Sequence, residues 1–195
     1  MSVDLQLVAK LREITGLGIS DCKKALDETK GDLDKAQEYL RRQGIQKADK
    51  KLDRIAKEGM IVSYIHSNGK IGVLVKISCE TDFVARNTEF QDFAKDIAMQ
   101  VAASNPLYVS KADVPAEVLE REKSIYRDQL AVEGKKGDFV EKIIEGKLAK
   151  FYQDNCLLEQ PFVKDDEIIV GNLLKEKITK IGEKIEILQF VRLHM

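Results

Sequence analysis

Two histidines and three cysteines are the side chains in this 195-residue chain best suited to act as bases, nucleophiles or soft metal ligands. The one enzyme-like grouping is Cys79 as nucleophile, His66 as base and Asp82 as the carboxylate that would orient it. The neighbouring sequence separates them. The runs MIVSYIH and IGVLVKISC flank SNGK, which signals a hairpin with Asn68 and Gly69 in a type I′ turn. In that register His66 faces Ile71, and Cys79 lies at the open end about 26 Å away at about 3.3 Å per residue, whereas proton transfer needs roughly 3 Å. Cys22, Cys79 and Cys156 form no CxxC pair and have no zinc spacing, so free thiols in a reducing cytoplasm are expected. Gly16 and Gly18 follow no strand and precede no Lys-Ser/Thr pair, so they read as a helix break and not as a phosphate loop. No catalytic residue, metal or cofactor is expected.

A different chemistry is offered by Phe83 and Val84. They sit in the loop ETDFVARN between a strand end and a helix, flanked by Asp82 and Arg86, where most loops are polar. Phe83 either folds back into the core or stands out as an aromatic anchor for a partner's pocket, and the pattern leaves both readings open.

These residues must be carried by elements that periodicity identifies. Leu7, Val8, Leu11 and Ile14 recur at helical spacing; Ser20 is placed to cap a second helix bearing Cys22, Ala25, Leu26 and Thr29, which Gly31 closes. Asp32 can cap a third helix with Leu33, Ala36, Tyr39 and Leu40, ending at Gly44 in a left-handed position. Residues 45–58 carry five basic and three acidic residues and read as a solvated connector, which divides the chain into a three-helix module with its connector at 1–54 and a larger domain at 55–195.

In the hairpin, Tyr64 faces Val73, Val62 faces Val75 and Met60 faces Ile77 on the core side. The other side holds Ile61, Ile65 and Leu74 beside Ser63, Lys76 and Ser78. Thr88 and Gln91 announce a helix with the stripe Phe90, Phe93, Ala94, Ile97, Ala98 and Val101. Residues 116–155 read as two antiparallel helices broken around Gly134 and Gly137, followed by a short helix near 173–181 and a final strand. In that strand Ile185, Ile187, Val191 and Leu193 point one way, and Leu188 and Phe190 the other. The fold class is therefore α+β: a three-helix N-terminal module, then a three-stranded antiparallel sheet packed with helices and a helical hairpin.

Charge and hydropathy narrow the function classes. The 32 Lys and Arg nearly cancel the 33 Asp and Glu, so no general field draws in phosphate backbones, and nucleic acid is not expected as a direct partner. No stretch approaches the roughly 18 apolar residues of a membrane span. The N-terminal residues, with Asp4 and Glu13 and no apolar h-region, resemble neither a signal nor a transit peptide.

The residues assembled above resemble the elongation factor Ts family. LREITGLGISDCKKAL at 11–26 looks like its N-terminal signature and TDFVARN at 81–87 like its second; AASNPLYV at 102–109 and EQPFVKDD at 159–166 also look like family sequence. The likeness is collinear along essentially the whole chain. It covers an N-terminal module similar to ubiquitin-associated domains and a single core sheet where longer members have two, which implies a short bacterial type that pairs with itself. It further implies a non-enzymatic, cytoplasmic guanine-nucleotide exchange factor acting on elongation factor Tu. Docking on the GTPase would run through Gly18, Ile19, Ser20 and Lys23. Thr81, Asp82, Phe83 and Val84 would disturb its magnesium site, with Arg86 and Asn87 supporting that loop. Ile61, Ile65, Leu74, Leu188 and Phe190 would form the dimer face, as their apolar character on a sheet surface also suggests. The competing classes are a ubiquitin-associated-like adaptor, which has no use for the 81–87 loop, and an RNA-binding translation protein using the basic connector.

Overall fold

The computed structural model describes residues 4–51, 53–135 and 139–195. Its first elements are three helices, α1 (Leu5–Thr15), α2 (Ile19–Glu28) and α3 (Leu33–Asp49). Asp4 caps α1 by accepting the Gln6 N–H, and Gly16 ends it at φ +66°, a left-handed position that costs glycine little. The expected cap by Ser20 is corrected: Gly18 is the cap residue, because its carbonyl already accepts the Cys22 N–H, and Ser20 falls inside the first turn. Asp32 caps α3 as its sequence position suggests, accepting the Lys35 N–H at 3.1 Å. Val8, Leu11, Cys22, Ala25, Leu26, Ala36 and Leu40 close a small core between the three helices.

The third helix does not stop at Gly44. Gly44 lies inside α3 with no positive φ, and is buried. The reason lies 135 residues away in α8 (Val170–Ile181), where Thr179 Oγ1 donates to the Gly44 carbonyl at 2.8 Å. A Cβ at Gly44 would come within 3.2 Å of both Cγ2 and Oγ1 of Thr179, so the missing side chain is what lets the two helices approach.

Strands β1 (Glu58–Ile65), β2 (Ile71–Cys79) and β5 (Ile185–His194) form one antiparallel sheet in the order β1–β2–β5. The hairpin register holds at its closed end, where the His66 N–H donates to the Ile71 carbonyl at 2.9 Å. The turn itself is not type I′. The Gly69 N–H bonds the His66 carbonyl, which puts Ser67 and Asn68 at the centre, and only Gly69 has positive φ. Asn68 directs its side-chain oxygen to the Lys70 N–H at 3.0 Å and so needs no left-handed backbone. Val62, Val73, Val75 and Ile77 are buried as the alternation requires. In β5 the parity changes along the strand: Ile185 and Ile187 are buried, but further on it is Arg192 that reaches α5 (Thr88–Ser104), donating to the Ala102 carbonyl at 3.2 Å.

Helix α5 buries Phe90, Phe93, Ala94, Ile97, Ala98, Val101 and Ala102. Its entry is helped by Asn87, whose Oδ1 accepts the Glu89 N–H at 2.7 Å. Helices α6 (Ala116–Val132) and α7 (Phe139–Asn155) pack antiparallel through Leu130, Ile144 and Leu148, with Arg127 paired to Glu141 on the outside. Gly134, at φ +72°, follows α6; Gly137 lies outside the described residues. A two-stranded ribbon of β3 (Pro161–Phe162) and β4 (Asp165–Ile169) was not anticipated from the sequence, since two residues carry no readable period. It is held by the buried Gln100, which donates to the Pro161 carbonyl at 3.1 Å and accepts the Val163 N–H at 2.7 Å.

By spatial grouping the chain forms two compact units. One contains Met1–Gly59, Ser78–Phe90 and Leu173–Glu186; the other contains Met60–Ile77, Gln91–Asn172 and Ile187–Met195. Replacing Gly44 with Leu is expected to overpack the α3–α8 contact at a cost of about 1–3 kcal/mol. Calorimetry should register this as a fall in Tm of about 2–4 °C per kcal/mol; a variant as stable as the parent would show that the close approach is dispensable.

Candidate partner-docking site

Where β2 ends, its last residues lose their ladder partners and their backbone donors must be satisfied otherwise. Two carboxylates do this. Glu183, just beyond α8, accepts the N–H groups of Glu80 and Thr81 on Oε2 at 3.1 and 3.0 Å, and the Thr81 hydroxyl on Oε1 at 2.7 Å. Glu80 in turn accepts the Lys184 N–H at 2.6 Å and meets Arg54 at 3.3 Å. The two segments thus exchange carboxylates for backbone donors.

From that anchor the chain makes one helical turn, α4 (Asp82–Ala85), in place of the expected open loop. Thr81 is its N-cap, extended at φ −128°, and its Oγ1 accepts the Val84 N–H at 3.4 Å. Ala85 N–H to Thr81 O and Arg86 N–H to Asp82 O close the turn. Asp82 pairs with Arg86 at 3.1 Å across it. Asp82 and Val84 are half-buried, Arg86 and Asn87 exposed. Phe83 is 81% exposed. Of the two readings open at the level of pattern, the core one is therefore excluded.

The enzyme-like trio finds other partners. Cys79 is buried and donates to the Thr81 carbonyl at 3.1 Å, and burial, aided by the nearby Glu183 charge, pushes its thiol up to about 11, far from a ready nucleophile. His66 Nδ1 meets the Tyr64 hydroxyl at 3.1 Å, and Asp82 is bound to Arg86. All three cysteines are free and buried.

Gly18, Ile19, Ser20 and Lys23 are all exposed at the start of α2, and Ile19 stands 57% open to solvent. The helix start is steadied by Asp21, which accepts Lys47 of α3 at 2.7 Å. This group and the Phe83 turn belong to the same compact unit. On the sheet, Ile61 and Ile65 are each 66% exposed, and Leu74 and Leu188 are also exposed, whereas Phe190 is half-buried. Exposed Val191 and Leu193 were not among the expected face residues; the parity change in β5, invisible in a plain alternation, is what turns them outward. Glu183 and Glu80 were also missed. The nearest signal was Gly182, which marks the end of a helix but says nothing of where the next carboxylate reaches.

The chain thus combines a three-helix stretch, an antiparallel sheet and an exposed aromatic on a capped turn. The family profile described as elongation factor TS matches residues 7–195. The chain is similar to elongation factor Ts of Carboxydothermus hydrogenoformans, 56% identical over 97% of this chain and 88% of that protein. It is likewise similar to elongation factor Ts of Fervidobacterium nodosum, 52% identical over 100% of this chain and 99% of that one, and of Thermosipho melanesiensis, 54% identical over 97% of each. It belongs to the elongation factor Ts family of translation elongation factors, in its short bacterial form.

Around the Phe83 turn, Glu80 and Glu89 ionise below the ordinary range. For Glu80 the Lys184 N–H bond is the main cause and outweighs burial, with Arg54 adding to it. For Glu89 burial pushes upward, but bonds from Lys180 and Lys177 together outweigh it. A carboxylate depressed in this way stabilises the fold above its unfolded pKa of about 4.3, and that stabilisation is lost as pH falls through the folded value. Melting temperatures should therefore drop as pH falls below about 4.3, and Glu80→Gln should flatten part of that drop. Identical acid profiles for parent and variant would contradict the assignment.

Proposed function

We propose that this chain is a guanine-nucleotide exchange factor that binds elongation factor Tu·GDP, disturbs its magnesium and phosphate site and promotes GDP release during elongation. The observation that carries this reading is the exposure of Phe83 on a turn whose base is held by Glu183 and whose start is capped by Thr81. A phenylalanine left in water forgoes about 1.5–3 kcal/mol of transfer free energy that a partner's apolar cleft can supply.

In this reading the exposed start of α2, with Gly18, Ile19, Ser20 and Lys23, docks on the GTPase, and Thr81, Asp82, Phe83 and Val84 act beside its magnesium ion. Asp82 makes polar contacts at the approach while Phe83 inserts between partner side chains; Arg86 and Asn87 keep the turn in shape. One buried phenylalanine biases a two-state element without abolishing nucleotide affinity, so docking and wedge share the effect. Coupling is reciprocal: the factor by which the chain weakens GDP binding is the factor by which GDP weakens binding of the chain. No bond is made or broken, and the protein acts as a cytoplasmic binding factor, not an enzyme. The test is release of labelled GDP from purified elongation factor Tu. Acceleration by catalytic amounts of the chain is expected, and an unchanged release rate would overturn the proposal.

A homodimer completes the reading. Ile61, Ile65, Leu74 and Leu188 expose apolar surface on one sheet, beside Val191 and Leu193; Phe190, expected on this face, is half-buried and shares the parity of the inward-directed Arg192. Covering such a face with a second copy removes apolar area from water at roughly 25 cal/mol per Å².

Phe83→Ala should keep its Tm within about 2 °C of the parent, since an exposed side chain contributes little to the fold. It should lose about 10- to 150-fold in maximal GDP release, the loss of that transfer free energy expressed as a rate. A large drop in Tm would instead mean that the ring serves the fold. Leu74→Glu should convert a reversible dimer into a monomer in sedimentation equilibrium, and a parent monomeric at tens of micromolar, roughly the range of weak interfaces, rules the dimer out.

A further inference from the structure

The turn that carries Phe83 has only four helical residues, too few to hold its own shape. Its geometry must come from outside. The cap bond from Val84 N–H to Thr81 Oγ1 is long, at 3.4 Å, and a hydroxyl has one proton and two lone pairs, so its direction depends on where that proton goes. It goes to Glu183 Oε1 at 2.7 Å, which turns the lone pairs toward the Val84 N–H. The other oxygen of the same carboxylate holds the Glu80 and Thr81 N–H groups. One side chain thus sets both the backbone before the turn and the cap that begins it.

Glu183 is itself held at both ends. On one side Lys184 donates its N–H to Glu80 at 2.6 Å. On the other, Gly182 at φ +89° ends α8, whose residues bind α3 and α5: Thr179 to Gly44, Glu176 to Arg41, Lys175 to Asp49, and Lys177 and Lys180 to Glu89. Helix α3 also carries Lys47, which pairs with Asp21 in the first turn of the docking helix α2. A continuous set of bonds therefore runs from the docking helix through α3 and α8 to the Phe83 turn.

We propose that Glu183 is the positioning residue of the Phe83 turn, fixing the aromatic ring relative to the start of α2 so that docking delivers it to the partner in one orientation. This deepens the exchange reading and rests on it for the kinetic consequence, while the ordering of the turn stands apart from it. Glu183 touches no partner atom in this scheme; it acts through Thr81.

The chain has no tryptophan, so Phe83→Trp introduces a single fluorescent reporter at the turn. In that background Glu183→Ala is expected to lower the fluorescence anisotropy of the introduced indole, whereas Glu183→Gln, whose one amide oxygen can still accept the Glu80 and Thr81 N–H groups while its NH2 donates to the Thr81 hydroxyl oxygen, is expected to restore most of it. With Phe83 in place, Glu183→Ala should lower maximal GDP release from elongation factor Tu about tenfold or more, because the ring is no longer held in the orientation that docking must deliver. The half-saturating concentration should change by less than about threefold, because the docking residues are untouched. Glu183→Gln should regain most of the rate. Thr81→Val, which removes the hydroxyl relay but leaves both backbone bonds, should lower maximal release by about threefold or more and serves if Glu183→Ala fails to fold. Parent-like anisotropy and release in Glu183→Ala, or parent-like release in Thr81→Val, would overturn the proposal, as would loss of binding and release in equal measure. If the parent releases no GDP, the exchange reading fails, and the anisotropy of the reporter still decides whether Glu183 orders the turn.

Discussion

Helix α8 can hold the rest of its unit in place because one glycine lets it approach α3. Gly44 removes a side chain where Thr179 needs to be, and the threonine hydroxyl then bonds the carbonyl left accessible. The ion pairs around it, Arg41 with Glu176 and Lys175 with Asp49, are partly exposed and each contributes about 0–1 kcal/mol. Orientation therefore comes from close packing, and the charges select the register. Lose the close approach, and the segment that follows α8 no longer arrives where β2 ends.

That arrival solves a second problem. A strand that terminates inside a fold leaves N–H groups without partners, and leaving them so costs more than a hydrogen bond returns. Glu183 satisfies two of these and a hydroxyl as well, with Glu80 returning the favour to Lys184. The depressed ionisation of Glu80 is the electrostatic mark of this exchange. With its base tied down, the turn at 82–85 has no need of its aromatic side chain for stability, and Phe83 is free to face solvent. A rigid support under an exposed anchor lowers the ordering cost that binding would otherwise incur.

The sheet follows a different logic. Its inner residues are aliphatic and buried, as alternation demands, yet its outer face is only half polar, with Ile61, Ile65 and Leu74 exposed beside Ser63 and Lys76. Along β5 the inward side changes from Ile187 to Arg192, which bonds the end of α5, and Val191 and Leu193 are turned toward the outer face beside Leu188. An arginine directed inward is tolerated because its Nε finds a backbone carbonyl.

Local pattern alone determined the three N-terminal helices, the hairpin register at His66 and Ile71, the α5 stripe and the α6–α7 pair, because each rests on periods and caps within a few residues of one another. It also singled out Phe83, since an aromatic in a polar loop is visible in one dimension, whereas the start of α2 read locally as a helix break and was marked out only by the family resemblance. Tertiary structure decided the rest. Gly44 looked like a helix end and is a contact surface, because the partner that needs its small size comes from 135 residues away. The exposure of Phe83, the turn's helical form and the role of Glu183 depend on which distant donors and acceptors meet, and no local period encodes such a meeting. The parity change in β5 is of the same kind: a strand's alternation is local, but which neighbour covers each half is fixed only when the chain has closed on itself.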